Sequence, residues 1–152
     1  MNKTARKVID YCITNDIGTL VVGYNVTFQR NSRIGKQNNQ NFVNIPYGKL
    51  RDKLSYLCEL NGIVYVEQEE SYTSKASFWD KDKIPVYNDG NPREYKFSGV
   101  RVHCGLYQTA NGKTFNADVN GALNIMRKSS VVDMTILYGR GDVDTPVRIR
   151  IA

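Results

Sequence analysis

Apolar residues recur at helical spacing in two segments, one at the N-terminus and one that begins near Pro46. The first segment predicts a helix over residues 2–15. The second predicts a helix over residues 46–60, because proline suits the first helical position and Asn61–Gly62 provides a natural stop. The apolar faces of these helices are predicted to comprise Val8, Ile9, Cys12 and Ile13 in the first, and Leu50, Leu54, Leu57 and Cys58 in the second.

Each predicted helix is followed by a segment typical of a β-strand. Thr19–Val22 predicts a buried strand, and Ile63–Gln68 predicts a second strand because it alternates and contains β-branched residues. Residues 27–42 are polar and aperiodic, which predicts a long loop. Strands that alternate with helices indicate an α/β sheet.

The remainder of the chain is rich in turn residues. Residues 100–115, "VRVHCGLYQTANGKTF", predict a hairpin whose turn is Asn111–Gly112. A third helix is predicted over residues 118–127, and "PVRIRI" (146–151) predicts a strand. The inward positions of the third helix are predicted to be Ala122, Leu123, Ile125 and Met126. Because no repeat or linker interrupts the chain, we expect one domain over residues 1–152.

Composition favours a globular protein. Hydrophobic residues make up 41% of the 152 residues and charged residues 24%, both ordinary values for such a domain. The first twelve residues contain no apolar stretch of signal-peptide length. No apolar run approaches the roughly 20 residues that span a bilayer. We therefore expect a cytoplasmic protein with no membrane partner.

The cysteines and the histidine predict neither a disulfide framework nor a zinc site. Cys12, Cys58 and Cys104 are odd in number and far apart in the sequence. With His103 as the single histidine, no recognisable spacing provides four zinc ligands. We therefore expect no bound zinc.

The charge balance is compatible with nucleic-acid binding. The formal net charge is +6 and the sequence pI is about 9.2. Basic side chains bind phosphates and release condensed counterions, although a merely soluble basic surface has the same composition. Charge alone leaves both interpretations open. The candidate nucleic-acid contacts are Arg30, Arg33, Lys36, Lys75, Lys81 and Arg101.

Aromatic residues near these lysines allow two interpretations. Tyr72, Phe78 and Trp79 lie close in sequence to Lys75 and Lys81. Such a group suits base stacking and phosphate contact on single-stranded nucleic acid. Aromatics in a ribbon-like segment also commonly form a local core, and the sequence leaves this alternative open.

Two acidic positions are candidate metal ligands. Glu69–Glu70 directly follow the second predicted strand, and Asp118 begins the third predicted helix. Carboxylates so placed can converge on divalent cations, and phosphodiester cleavage uses several such acids around ions about 3.5–4 Å apart. The alternative roles are a helix-dipole carboxylate for Asp118 and a solvated strand end for Glu69–Glu70. Spacing alone favours these alternative roles over metal binding.

Longer motifs resemble one family. "EESYTSKAS" (69–77) and "FSGVRVHCGLYQTANGKTFNADVNGALNI" (97–125) resemble the transposase-associated OrfB/TnpB proteins of insertion sequences. The resemblance extends to "IGTLVVGYN" (17–25), "KQNNQNF" (36–42) and "IPYGKL" (45–50), and so covers most of the chain. Members are RNA-guided DNA nucleases of mobile elements, related to type V CRISPR effectors, with a RuvC-like domain. The resemblance therefore implies a partial RNase H-like (RuvC-type) α/β fold.

The resemblance also implies roles for individual acids. Asp118 matches the last catalytic aspartate of the family. Gly23 stands where the family's glutamate usually lies, so Glu70, three residues before Thr73, is the best candidate for that acid, and Glu69 is the second. Glu70 and Asp118 would then hold Mg²⁺ or Mn²⁺ if the protein is catalytic.

Two departures from the family pattern qualify this expectation. No segment of the chain matches the first catalytic aspartate, so we expect that acid and the guide-RNA-binding N-terminal region to be absent. Many members have a zinc ribbon with two cysteine pairs, but here Ala76–Ser77 occupies the first cysteine region and only Cys104 remains. Residues 71–115 are thus interpreted as a degenerate zinc-ribbon-like insertion. Its small core is expected to comprise Tyr95, Phe97, Tyr107 and Phe115.

The sequence therefore predicts the C-terminal part of a transposon-encoded, RNA-guided, metal-dependent DNA endonuclease that is inactive alone. Its partners would be DNA and, in the full-length family, guide RNA. The alternative is a non-catalytic nucleic-acid-binding remnant of such a protein.

Overall fold

The computed structural model describes residues 2–25, 47–87 and 94–138, together with 143, 145–147 and 149. Helices and strands alternate along the first half of the chain. The second half contains a three-stranded ribbon followed by a 13-residue helix. In chain order the elements are α1 (Asn2–Thr14), β1 (Thr19–Tyr24), α2 (Tyr47–Leu60), β2 (Val64–Glu69), β3 (Val100–His103), β4 (Leu106–Gln108), β5 (Thr114–Asn116), α3 (Ala117–Ser129) and a 3₁₀ helix (Thr135–Leu137). The mixed α/β class predicted from the sequence is confirmed.

The chain divides into two compact units. The first comprises Met1–Glu67 with Ile149–Ala152, and the second comprises Gln68–Arg148. The assignment of residues 71–115 to a zinc-ribbon-like insertion within a single domain stays a prediction.

The core of the first unit lies between the apolar faces of α1 and α2. Its buried residues are Ala5, Ile9, Cys12, Leu54, Leu57, Cys58 and Ile63. The predicted face of α2 is confirmed, but the prediction for Ile13 is wrong, because 52% of that residue is exposed. Successive helical residues differ by about 100° in direction, so Ile13 lies beyond the edge of the face centred between Ile9 and Cys12.

Two strands pair in the first unit. Both strands were predicted, but β1 is half-buried along its whole length and is not the buried strand expected from its apolar sequence. The backbone N–H of Val64 donates to the Gly18 carbonyl at 2.9 Å. The stop after α2 is confirmed, since Gly62 takes a left-handed φ of +67° that glycine adopts without strain.

The second unit contains an antiparallel three-stranded ribbon in the order β3–β4–β5. The predicted turn at Asn111–Gly112 is confirmed and connects β4 to β5. A second tight turn, Cys104–Gly105, connects β3 to β4 and was not predicted, so the single expected hairpin is two consecutive hairpins. Gly105 has a φ of +82°, and its carbonyl accepts from the N–H of Ala117 at 2.9 Å.

The third predicted helix is confirmed, but its buried face differs from the prediction. The buried residues of α3 are Ala117, Asn120 and Asn124, whereas Ala122 is exposed. Leu123, Ile125 and Met126 are only half-buried. Apolar periodicity missed this face because its two largest residues are amides.

Several predicted features lie partly or wholly outside the described residues. Arg30, Arg33 and Lys36 do so entirely. Of the predicted strand over residues 146–151, the described positions 146, 147 and 149 have no strand structure. Within the described ranges, no helix has the length and apolarity needed to cross a membrane.

Candidate functional site

Helix α3 and its N-cap carry a row of polar residues at four-residue spacing, and the three within the helix contact the segment that follows β2. Side chains four residues apart lie on the same helical face. The row consists of Asn116, Asn120, Asn124 and Lys128. Asn116 is the N-cap, and its Oδ1 accepts from the N–H groups of Asp118 at 2.9 Å and Val119 at 3.0 Å. Asp118 therefore lies in the first turn and is not itself the cap.

Asn120 binds the loop backbone with both ends of its side-chain amide. Its Nδ2 donates to the Ala76 carbonyl at 2.8 Å, and its Oδ1 accepts from the N–H of Phe78 at 2.9 Å. Asn120 is completely buried, so each of these bonds satisfies a group that water cannot reach. The loop is thereby fixed to α3 at two points.

Asn124 adds a second set of contacts one turn further along α3. Its Nδ2 donates to the carbonyls of Thr73 at 2.9 Å and Ala76 at 2.7 Å. Its Oδ1 accepts from the Arg127 guanidinium at 2.9 Å, and the same Arg127 nitrogen donates to the Asp82 carbonyl at 2.7 Å. The "YTSKASF" and "NGALN" motifs are thus two halves of one hydrogen-bonded structure.

Lys128 ends the row in an ion pair with Glu69. Its Nζ lies 2.6 Å from Glu69 Oε2, and only 9% of the Lys128 side chain is exposed. The other carboxylate oxygen of Glu69 accepts from the N–H of Ser71 at 2.6 Å. Burial alone would raise the pKa of Glu69, but the bonds from Lys128 and Ser71 outweigh it, and this pKa is lowered. Glu69 is therefore held as a structural anion.

Glu70 follows β2 directly and begins the turn that leads into the loop bound by Asn120 and Asn124. Its carbonyl accepts from Thr73, at 3.2 Å from the N–H and 2.8 Å from Oγ1. Within this turn Tyr72 has a φ of +64°, a left-handed conformation that is costly for a bulky residue. Glu70 is half-buried. Thr73 therefore connects the two residues: it donates to the Glu70 carbonyl, and its own carbonyl accepts from Asn124.

Asp118 is the most accessible of the predicted acids. Its side chain is 84% exposed, and its Oδ1 lies 3.4 Å from the Arg101 guanidinium, which projects from β3. Within residues 2–25, 47–87 and 94–138 and the few later positions described, no group of three or more His, Cys, Asp or Glu side chains is close enough to hold a metal ion. Metal binding by Glu70 and Asp118 stays a prediction.

The predicted basic contacts that the structure describes lie on the surface of the second unit. Lys75, Lys81 and Arg101 are all exposed. The Lys81 ammonium lies 4.8 Å from the centre of the Tyr138 ring. Every residue of β3 is exposed, so Arg101 extends from a strand that is open to solvent. These positions are compatible with phosphate contact.

The aromatic residues form a local core. Phe78 is completely buried and contacts Trp79 edge-on, and Trp79 stacks on Phe115 with ring centres 3.6 Å apart at 9°. Tyr107 is also completely buried, and burial raises its pKa to about 12. Phe78 is therefore not available to stack on a base. Tyr95, expected in the ribbon core, is 40% exposed and contacts the Tyr72 ring edge-on at 5.1 Å.

Carboxylates hold the segments around the ribbon together. Asp82 Oδ2 accepts from the N–H groups of Ser77 at 2.8 Å and Ser98 at 3.0 Å. Asp80 Oδ2 accepts from the N–H of Ala110 in the β4–β5 turn at 3.0 Å. Cys104 is exposed in the β3–β4 turn. The expected absence of zinc stays a prediction.

Sequence reasoning missed the residues that assemble this site, namely Asn120, Asn124, Arg127, Lys128, Asp80 and Asp82. One signal was available. Asparagine is a weak helix former, yet it occurs twice within the third helix, at Asn120 and Asn124, four residues apart. Such a pair is explained when both amides bind another backbone segment, as they do here.

Comparison with known proteins identifies the family. The family model described as Cas12f1-like, TNB domain, matches residues 47–125, which is just over half of the 152 residues. The chain belongs to this family, and the resemblance to TnpB- and Cas12-related proteins is confirmed at that level.

A solved structure shares the fold. The match is to the cryo-EM structure of a Cas12f1–sgRNA–target DNA complex, with a TM-score of 0.54 and 21% sequence identity. It covers 86% of this chain but only 32% of the other, so this chain spans about a third of the matched one. No curated protein matches the chain.

Proposed function

We propose that this chain is the C-terminal part of the RuvC-type domain of an RNA-guided, metal-dependent DNA endonuclease of the OrfB/TnpB kind. Its partners in the complete nuclease are DNA and guide RNA. Membership of the Cas12f1-like TNB family supports this proposal. The shared fold supports it further, since the matched protein is in a complex with sgRNA and target DNA.

One observation supports a nuclease site most directly. Asn120 and Asn124 join α3, which contains Asp118, to the loop that follows Glu70. The two predicted acids therefore belong to segments that one buried network holds together. A catalytic site needs this kind of preorganised support from groups that do not react themselves.

The donor chemistry fits a divalent cation. Mg²⁺ commonly uses one or two carboxylates and keeps several waters, which the pair Glu70 and Asp118 can provide. Such an ion would supply Lewis-acid activation of water during phosphodiester cleavage. The chain's own residues would place the substrate, since Arg101 lies beside Asp118 and can bind a phosphate there.

The chain alone should bind DNA without cleaving it. Its 152 residues contain candidates for two of the family's catalytic acids. In the described ranges, neither candidate belongs to a group of three or more side chains that could hold a metal ion. The same observation favours a second candidate function, a nucleic-acid-binding remnant that has lost catalysis. In that case Asp118 is an exposed partner of Arg101 and nothing more.

Fluorescence anisotropy with labelled single- and double-stranded DNA, over a range of salt and with or without Mn²⁺, separates these functions. We expect DNA binding that weakens with salt, a shallower salt dependence by about one unit in Arg101→Ala, and no cleavage. If the chain is part of a nuclease, Mn²⁺ should tighten DNA binding by the wild type but not by Asp118→Asn. A remnant would bind equally with and without Mn²⁺. Absence of DNA binding at low salt would contradict both functions.

A further inference from the structure

Three aromatic side chains meet at the surface of the second unit. The Tyr72 ring contacts the Tyr95 ring edge-on with the ring centres 5.1 Å apart, and its centre lies 6.1 Å from that of the Phe97 ring. Tyr95 is 40% exposed, and Tyr72 and Phe97 are half-buried. The aromatic cluster formed by Tyr72, Tyr95 and Phe97 therefore keeps part of its ring surface open to solvent.

The aromatic cluster differs from the aromatic core beside it. In the core, Phe78 is completely buried, and Phe115 covers a face of the Trp79 ring at an interplanar angle of 9°. In the aromatic cluster the rings meet at 68° and 39°, so they do not cover one another face to face. Uncovered ring faces are the surfaces on which nucleobases stack.

Tyr72 is held in place by its turn before any ligand arrives. Its carbonyl accepts from the N–H groups of Lys75 at 3.0 Å and Ala76 at 2.9 Å. The carbonyl of the next residue, Thr73, accepts from the buried Asn124 at 2.9 Å. Because the backbone under the ring is already fixed, stacking of a base there costs little further conformational freedom.

Basic side chains lie close to the aromatic cluster along the chain. Lys75 follows Tyr72 by three residues, and Lys96 lies between Tyr95 and Phe97. Both lysines are exposed, and in the part of the chain that the structure describes neither forms an ion pair. Cations beside exposed rings suit a single-stranded nucleic acid, whose phosphates bind the cations while its unpaired bases stack on the rings.

We propose that the aromatic cluster is a stacking site for unpaired bases of single-stranded DNA, with Lys75 and Lys96 binding the adjoining phosphates. This inference rests on the proposed function, since Tyr72 lies two residues after Glu70, the predicted acid of DNA cleavage. The strand bound here is therefore the DNA to be cut and not the guide RNA. The cluster binds and orients this strand and takes no part in the chemical step.

Fluorescence anisotropy of the full chain with labelled oligothymidylate of about 15 nucleotides tests the stacking site without requiring cleavage. Tyr95→Leu should weaken binding by about tenfold, because that is the contribution of roughly one stacked base. Tyr95→Phe keeps an aromatic ring and should bind as the wild type does. Tyr11→Leu is the matched control, since Tyr11 is an exposed tyrosine of α1, and it should leave binding unchanged.

Duplex DNA and salt separate stacking from phosphate contact. Bases in a duplex are already stacked on one another, so Tyr95→Leu should bind a DNA duplex as tightly as the wild type does. Lys75→Gln should instead weaken binding of both DNA forms, and should lower the salt dependence of single-strand binding by about 0.7 units. An equal loss of single-strand and duplex binding in Tyr95→Leu would overturn the stacking role.

Photochemical cross-linking tests the site in the wild type, independently of any effect of a substitution on folding. A strand with iodouracil in place of thymine should form a covalent cross-link to a ring of the aromatic cluster, which mass spectrometry of the peptides identifies. Thermal melts should show Tyr95→Leu close to the wild type, since Tyr95 is 40% exposed. Cross-links only to residues outside the cluster would overturn the inference.

The remaining outcomes distinguish the stacking site from the function on which it rests. If the wild type binds neither single-stranded nor duplex DNA at low salt, the proposed function is wrong, and the stacking site is wrong with it. If the wild type binds single-stranded DNA and Tyr95→Leu binds it equally tightly, DNA binding stands and the stacking site does not. Tighter binding of single-stranded RNA of the same sequence would overturn the assignment to DNA.

Discussion

The Nδ2 group of Asn120 donates a hydrogen bond to the carbonyl of Ala76 at 2.8 Å, across 44 positions of the chain. This bond and its companion from the N–H of Phe78 join the two most recognisable motifs of the sequence. Because Asn120, Ala76 and Phe78 are all completely buried, loss of these two hydrogen bonds should lower the stability of the second unit.

Replacing Asn120 with alanine should destabilise the protein by about 1–3 kcal/mol. The change leaves the buried N–H of Phe78 unsatisfied, and such a group costs about 1–3 kcal/mol, whereas the Ala76 carbonyl keeps its bond from Asn124. Chemical denaturation monitored by circular dichroism measures the loss. Asn15→Ala is the control, since that exposed amide makes a local bond to the Tyr11 carbonyl and its removal should cost less than about 0.5 kcal/mol. Equal losses in the two variants would contradict a stabilising role for the two long-range hydrogen bonds of Asn120.

Two glycines of the second unit should respond to alanine in opposite directions. A Cβ on Gly99 would lie 2.5 Å from the Gln108 carbonyl oxygen and 2.6 Å from the Tyr107 ring, so Gly99→Ala should destabilise by about 1–3 kcal/mol. Gly121 lies within α3 with open space around it, so Gly121→Ala should stabilise by about 0.5–1 kcal/mol. Thermal melts of both variants provide the measurement. A destabilised Gly121→Ala would contradict the open space around this position.

The ion pair of Glu69 and Lys128 should make stability depend on pH in the acid range. The pKa of Glu69 is lowered in the folded protein, so its contribution is present above the ordinary pKa of 4.5 and is lost as pH falls through the lowered value. Glu69→Gln should therefore be less stable than the wild type at neutral pH, by about 1–2 kcal/mol. The difference should shrink below pH 4.5. Urea denaturation across this range measures it, and a difference that does not change with pH would exclude the ion pair as its cause.

The ribbon should stay folded without zinc. Asp80 and Asp82 bind backbone N–H groups of neighbouring segments, and Trp79 stacks on Phe115. We expect the melting temperature to be the same with and without a strong chelator. Stoichiometric zinc in elemental analysis, with unfolding on chelation, would contradict this expectation.

Periodicity predicted the elements well where the buried residues are apolar. The face of α2 was correct because Leu54, Leu57 and Cys58 are the residues that pack in the first core. Asn111–Gly112 was recognised because the dipeptide favours a tight hairpin. In both cases a local preference and the final packing agree.

Prediction failed where buried polar contacts decide the structure. The inward face of α3 was assigned to apolar residues, but Asn120 and Asn124 occupy it because they bind a loop more than 40 positions away in sequence. The pairing of Lys128 with Glu69 spans 59 positions. Apolar periodicity does not encode such contacts. The candidate acids came from resemblance to a family, while the network that supports them came only from the structure.

The most direct test of a cation site at Glu70 and Asp118 is a set of thermal melts in chelator and then in Mg²⁺. In chelator, Asp118→Asn should melt close to the wild type, since an exposed ion pair and a first-turn carboxylate contribute only about 0–1 kcal/mol each. Mg²⁺ should then raise the melting temperature of the wild type, because a ligand stabilises the state that binds it. It should not raise that of Asp118→Asn or Glu70→Gln. If Mg²⁺ shifts none of the three proteins, or shifts all three equally, these two acids do not form a metal site.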